Sequence, residues 1–290
     1  MHHSNAGGVY LAELEGRKVI LKEGRQKAGI DGNGKDGFER NKKEYYTLKR
    51  LKKIEGVINV YEYFTAWQHN YIVEDFHDGR NLTEFISQEF PFTYSKNKST
   101  QYIEKCILII NQLIRIIEEI HKKGVAMGDL SLNNIMLSDD DLRVTLIDFE
   151  AATSPGNKFN PSIATPGFFS NEAKNYKEGD WFALYRITRT LFLPIIPVYD
   201  IAPQIISVHD RRIEEIFGKT AVSFLRQIEN RISKYTNLRP QSPFLNQKLS
   251  LPTKELSFDN INYIISGLQK GIINNLQVDS FSGPSRILCK

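Results

Sequence analysis

The stretch that most restricts how this 290-residue chain can fold runs from Gly128 to Glu150. It reads Gly128-Asp129-Leu130-Ser131-Leu132-Asn133-Asn134-Ile135-Met136-Leu137, then a polar turn, then Val144-Thr145-Leu146-Ile147-Asp148-Phe149-Glu150. The two apolar runs have the length and composition of short strands, and the Ser and Asp residues between them read as a turn. An Asp precedes the first strand, an Asn follows it by five residues, and a second Asp closes the second strand. Either Asp alone would be an ordinary acidic turn, but both at this spacing form a constellation of oxygen donors.

The surrounding patterns place that constellation in a larger plan. Gly8–Ala12 and Arg17–Lys22 are short apolar runs joined by Glu15-Gly16, a hairpin signal. Residues 24–37, rich in Gly, Lys and Asp, read as a loop. Over residues 38–54, Phe38, Tyr45, Leu48, Leu51 and Ile54 recur at helical spacing among charged residues. Val60–Phe64 and Tyr71–Phe76 return to strand. After Gly79 the character changes. Leu82–Ile86 starts a short helix, residues 91–100 read as a polar loop, and residues 101–122 carry a wide apolar helical face from Ile103 to Ile120. From about 178 onward the patterns are helical, with loops expected near 199–210 and 237–252. Strands first and helices later predict an α+β architecture. The expected boundaries are a small β-rich N-lobe with one main helix over 1–78, a larger and mostly helical C-lobe over 79–250, and a helix or linker over 251–290.

Composition bounds the function more loosely. Hydrophobic residues make up 41% and charged residues 25%, and the net charge of +4 is too mild to argue for nucleic acid. No apolar run approaches the roughly 20 residues that span a bilayer, so no membrane partner is expected. Cys106 and Cys289 lie far apart, and a buried thiol and a free tail thiol are expected in a reducing, cytoplasmic setting. His69, His77 and His121 show no metal-ligand spacing, and Trp67 and Trp181 are expected to be packing anchors.

Taken in order, these pieces resemble a protein kinase over about residues 4–245. Asp129 and Asn134 match the catalytic loop, and Asp148-Phe149 matches the metal-binding turn. The resemblance implies that Asp129 faces the acceptor hydroxyl and that Asn134 and Asp148 hold Mg²⁺ through hard oxygen ligands. Val19-Ile20-Leu21-Lys22 resembles the strand whose Lys touches the inner phosphates of ATP or GTP, and Glu44 the helix Glu that pairs with it. Gly7, Gly8 and Val9 resemble the end of the glycine-rich loop, whose backbone amides cover phosphate. Glu74-Asp75-Phe76 resembles the hinge that reads the base through its backbone, with Val73 just before it against the base pocket. Glu172 is expected at the end of the activation segment with Arg239 as its partner, and Asp180 on the helix that braces the catalytic loop.

Departures narrow the reading. Met127-Gly128-Asp129 lacks the Arg that usually reads a phosphate on the activation segment, and Glu150 stands where a Gly is usual. Control by phosphorylation of that segment is therefore not expected. Leu21–Gly29, Tyr63–Glu74, Gly128–Met136, Asp148-Phe149-Glu150 and Leu191-Phe192-Leu193-Pro194 together resemble the central kinase domain of class III lanthipeptide synthetases. That implies a ribosomal precursor peptide with a leader segment as substrate, Ser and Thr as acceptors, and lyase and cyclase-like domains as partners in a longer protein. Leu268–Asn275 resembles the exit toward the cyclase. Arg25, Lys27, Lys35, Arg40, Lys42 and Lys43 would give the small lobe a basic side, where an acidic leader could dock. Two alternatives stay open: a small-molecule kinase of the aminoglycoside or choline type, and a pseudokinase that only presents the leader peptide.

Overall fold

The computed structural model describes residues 2–92, 96–161, 164–195, 205–238, 276–279 and 286–289. The chain divides into two compact units, residues 1–194 with 213–238, and residues 195–212 with 239–290.

The first unit contains a small sheet lobe and a larger helical lobe. Its small lobe is a five-stranded antiparallel sheet made of β1 (His2–Ser4), β2 (Gly7–Leu14), β3 (Arg17–Arg25), β4 (Val60–Ala66) and β5 (His69–Asp75), in the order β1-β2-β3-β5-β4. The Glu15-Gly16 turn has positive φ at both residues, 49° and 78°, the hairpin geometry whose twist matches its strands. The register pairs Val9 with Lys22, Lys22 with Ile72, and Ile20 with Glu74. Helix α1 (Gly37–Leu51) begins at a capping box, in which Asp36 accepts from the Glu39 amide and Glu39 accepts from the Asp36 amide. A buried amide pair fastens α1 to the sheet: Asn41 Nδ2 donates to Asn70 Oδ1 at 2.9 Å, and Asn70 Nδ2 donates to Phe38 O at 2.7 Å.

The larger lobe is mostly helical. A three-stranded sheet of β6 (Arg80–Asn81), β7 (Ile135–Leu137) and β8 (Val144–Leu146) carries the catalytic-loop segment. Around it lie α2 (Leu82–Glu89), α3 (Lys96–Lys122) and α4 (Tyr176–Phe192). A further helix, Ile206–Ile232, is interrupted at Gly218, whose φ of 79° is non-helical. The core of this lobe is aliphatic along α3, from Ile109 to Ile120, and aromatic where Tyr102 stacks with both Phe85 and Phe217. Helix α3 starts at Lys96, inside the segment expected to be a polar loop. Its first turn is polar, so apolar periodicity does not announce it.

In the second unit, Leu276–Asp279 and Arg286–Cys289 form an antiparallel pair where a helix or linker was expected. Each is a four-residue run containing β-formers, too short for a periodicity argument to detect. Arg239, Leu268–Asn275 and the residues of 251–290 other than these two strands lie outside the described residues. No helix among the described residues is long and apolar enough to cross a membrane.

Candidate active site

The site assembles around one ammonium. Lys22 lies on β3 and reaches Glu44 of α1, with Nζ donating to Oε1 at 2.7 Å. Asp148 and Glu74 each bring a carboxylate oxygen to 3.6 Å from the same nitrogen. Burial alone would push the Lys22 ammonium down. The three carboxylates outweigh it and hold the group well above its ordinary value, so it stays charged.

The Glu74 side chain belongs to this cluster as well. Its side chain is buried on the same face of the sheet as Lys22, because Ile20 is its register partner and side chains two residues apart share a face. Burial pushes its carboxyl up to about 8, against the pull of Lys22. A carboxyl with that value is mostly neutral at pH 7. Val73 is buried too, but it pairs with Leu21, on the opposite face from Lys22. The Glu74 side chain therefore faces Lys22, and the strand that carries it ends at Asp75. The ring of Phe76 lies 5.6 Å from the Lys18 ammonium.

The Asp148-Phe149-Glu150 turn is held by α1. Glu44 Oε1 also accepts from Phe149 N at 2.8 Å, so one buried oxygen ties the Lys22 strand to the turn after β8. Asp148 adopts φ 63°, a left-handed conformation that Asp tolerates better than most residues. Its side chain is 39% exposed and so open to a ligand. In the catalytic loop, Asn134 Nδ2 donates to Asp129 O at 2.9 Å. That contact uses the amide nitrogen and leaves Oδ1 as the atom offered to a cation. Asn134 Oδ1 and the Asp148 carboxylate are the hard oxygen donors that Mg²⁺ takes, so the residues present fit that ion. Asp129 Oδ1 accepts from Thr165 N at 2.8 Å, which ties the loop to the end of the activation segment.

Asp180 braces this loop from α4, as expected. It accepts from Met127 N at 2.8 Å and Gly128 N at 2.9 Å, and it sits 2.8 Å from His121 Nε2. Gly128 is required here: its φ is 82°, and a Cβ would come 2.7 Å from Ala151 O. Trp181 anchors the same region, stacked on Tyr235 with centroids 4.4 Å apart. Glu172 accepts from Asn237 Nδ2 at 3.0 Å.

A cavity of about 240 Å³ lies under the glycine loop, lined by Gly7, Gly8, Val9, Lys22, Glu44 and Asp148 among others. One amide expected to cover phosphate is engaged elsewhere, since Gly8 N donates to Glu23 Oε2 at 3.1 Å. Glu23 is largely buried, and the Tyr10 hydroxyl and Arg25 also donate to it. A buried carboxylate needs such donors. Gly7 is packed against β3 so closely that a Cβ would meet Glu23 O.

Two further expectations fail. Trp67 is no packing anchor: it is 92% exposed, at the tip of the β4–β5 hairpin with φ 59°. Arg40 does not join the exposed basic side either. It is buried, and its Nη1 donates to Glu150 Oε2 at 2.9 Å. Cys106 is buried as expected.

A Lys–Glu pair between sheet and helix, an Asp at the turn after β8 and an Asp–Asn loop braced by a buried Asp define a phosphotransferase of the protein kinase type. The profile of the protein kinase domain matches residues 5–244, and the chain belongs to that family. Among its relatives, the probable SapB synthase of Streptomyces coelicolor is 33% identical over 200 residues, covering 67% of this chain and 21% of that protein. The probable serine/threonine-protein kinase zyg-1 of Caenorhabditis briggsae is 27% identical over 214 residues, covering 71% of this chain and 28% of that protein. The matched regions thus span between about a fifth and somewhat more than a quarter of those relatives' own length.

Proposed function

We propose that this chain is the kinase domain of a lanthipeptide synthetase, which phosphorylates Ser and Thr hydroxyls of a ribosomal precursor peptide using ATP or GTP with Mg²⁺. The observation that carries the chemistry is Lys22, 2.7 Å from Glu44 and 3.6 Å from Asp148, in one cluster. Phosphoryl transfer asks little covalent chemistry of a protein and much positioning and charge. Asp129 orients the acceptor hydroxyl and takes its proton. Asn134 and Asp148 hold Mg²⁺, which when bound neutralises charge on the phosphates. Lys22, kept in place by Glu44, faces the inner phosphates. Gly7, Gly8 and Val9 cover the nucleotide.

The likeness to a probable SapB synthase supports a peptide as the substrate, in line with the segments that resemble lanthipeptide synthetases. On this reading the leader segment docks on the kinase domain, and the lyase and cyclase-like domains are supplied outside this chain. The test is incubation of the chain with a candidate precursor peptide, Mg²⁺ and ATP or GTP, followed by mass spectrometry. The expected product carries phosphate and has lost no water. Dehydrated peptide formed by this chain alone would overturn the division of labour. Preferential phosphorylation of an aminoglycoside, or nucleotide binding without any transfer, would overturn the peptide-kinase reading.

A further inference from the structure

We propose that Arg40, acting through Glu150, is a positioning residue for phosphotransfer: it clamps the Asp148-Phe149-Glu150 turn to α1 and so keeps Asp148 beside Lys22. The inference rests on reading Asp148 as a metal-holding carboxylate.

Arg40 and Glu44 are one helical turn apart on α1, and both are buried. They hold neighbouring residues of the same turn. Glu44 Oε1 accepts from Phe149 N at 2.8 Å, and Arg40 Nη1 donates to Glu150 Oε2 at 2.9 Å. Arg40 Nη2 donates to Gly29 O at 2.8 Å, so the guanidinium is fixed from its other side as well. A planar fork held at both ends is a rigid strut in a way that an ammonium would not be.

The turn needs outside support. Asp148 has a left-handed φ of 63°, a conformation that persists only where its neighbours impose it. Its own side chain has only Lys22, at 3.6 Å, as an ionic partner among the described residues. A Gly at position 150 would give Arg40 nothing to hold, and a buried Arg without Glu150 would be an uncompensated charge. The two residues therefore make sense as a pair. Gly128, next to Asp129, has no side chain with which to read a phosphate on the activation segment. The clamp fixes the turn from the α1 side and needs no such phosphate.

The test titrates Mg²⁺ against binding of a fluorescent ATP analogue by the full chain. It compares wild type, Arg40→Gln, Arg40→Lys, Glu150→Gln, the double variant Arg40→Gln/Glu150→Gln, and Asp148→Asn, with thermal melts alongside. Each single neutral variant is expected to raise the Mg²⁺ half-saturation by about tenfold to a hundredfold, the usual cost of losing a partner that orients a metal ligand. Arg40→Lys should recover part of the loss. The double variant should be no worse than the worse single one, as for two halves of one interaction. A half-saturation unchanged within about twofold while the melting temperature falls would overturn the proposal, as would losses that multiply in the double variant. Failure of the underlying reading has a different signature, in which wild type and Asp148→Asn respond alike to Mg²⁺. The clamp would then fall with it.

Discussion

Glu44→Gln removes one charge from the most buried ion pair of the site and changes almost nothing in shape. Glu44 is 2% exposed, and its Oε1 receives both Lys22 Nζ at 2.7 Å and Phe149 N at 2.8 Å. At that separation the Coulomb attraction is about 6 kcal/mol for an effective dielectric of about 20. Keeping a carboxylate out of water costs several kcal/mol, which offsets most of it. The glutamine carbonyl still accepts from Phe149 N, and Lys22 keeps Asp148 at 3.6 Å. The net change in folding stability is therefore expected to stay within about 1 kcal/mol. Activity should respond differently. What disappears is the charged contact that aims Lys22, and a hydrogen bond between charged groups contributes about 1.5–3 kcal/mol. If that contribution is realised in the transition state, kcat/KM falls by about 10- to 150-fold. Initial rates over a range of nucleotide concentrations give the activity, and urea denaturation of the same preparations gives the stability. A loss in kcat/KM below about threefold would refute the role of the pair. A stability loss as large as the loss of transition-state binding would refute the separation of the two effects.

Other outcomes follow from the same geometry. Asp180→Ala orphans the Met127 and Gly128 amides, and two buried donors at about 1–3 kcal/mol each predict a loss of about 2–6 kcal/mol. An unfolding midpoint in urea equal to that of wild type would contradict this. Glu74→Gln addresses pH. The folded Glu74 carboxyl is raised to about 8 from 4.5, so its protonated form favours folding below about pH 4.5. That contribution fades as pH rises through about 8, with Lys22, Glu44 and Asp148 as the charged neighbours. Glutamine cannot ionise, so the variant should gain melting temperature relative to wild type between pH 5 and pH 9. A difference that is flat or shrinks with pH would count against the burial of this carboxyl.

The catalytic constellation was legible because its spacing is dictated by chemistry. Asn134 and Asp148 flank short strands, Asp129 precedes Asn134 by five residues, and Lys22 closes an apolar run. The brace from Asp180 was legible for the same reason. What the sequence hid depends on register and on burial. That Glu74 turns its side chain toward Lys22 depends on which face of β5 it occupies, and only its pairing with Ile20 settles that. Arg40 lies among Lys and Glu residues and looks like part of a solvated face, because its partner Glu150 is 110 residues away. Trp67 shows the opposite error, since a large aromatic ring suggests packing, yet its hairpin tip projects it into solvent. The amide of Gly8 was assigned to phosphate without a view of Glu23, which folds back from β3 to take it.

The most direct test of the account measures phosphoryl transfer from labelled ATP to a Ser/Thr-containing precursor peptide, comparing wild type with Asp129→Asn while following nucleotide binding in both. The account predicts labelled phosphopeptide from wild type and a loss of about a hundredfold or more in the variant, the scale of a missing general base, with nucleotide binding retained. Transfer by Asp129→Asn at the wild-type rate would contradict it.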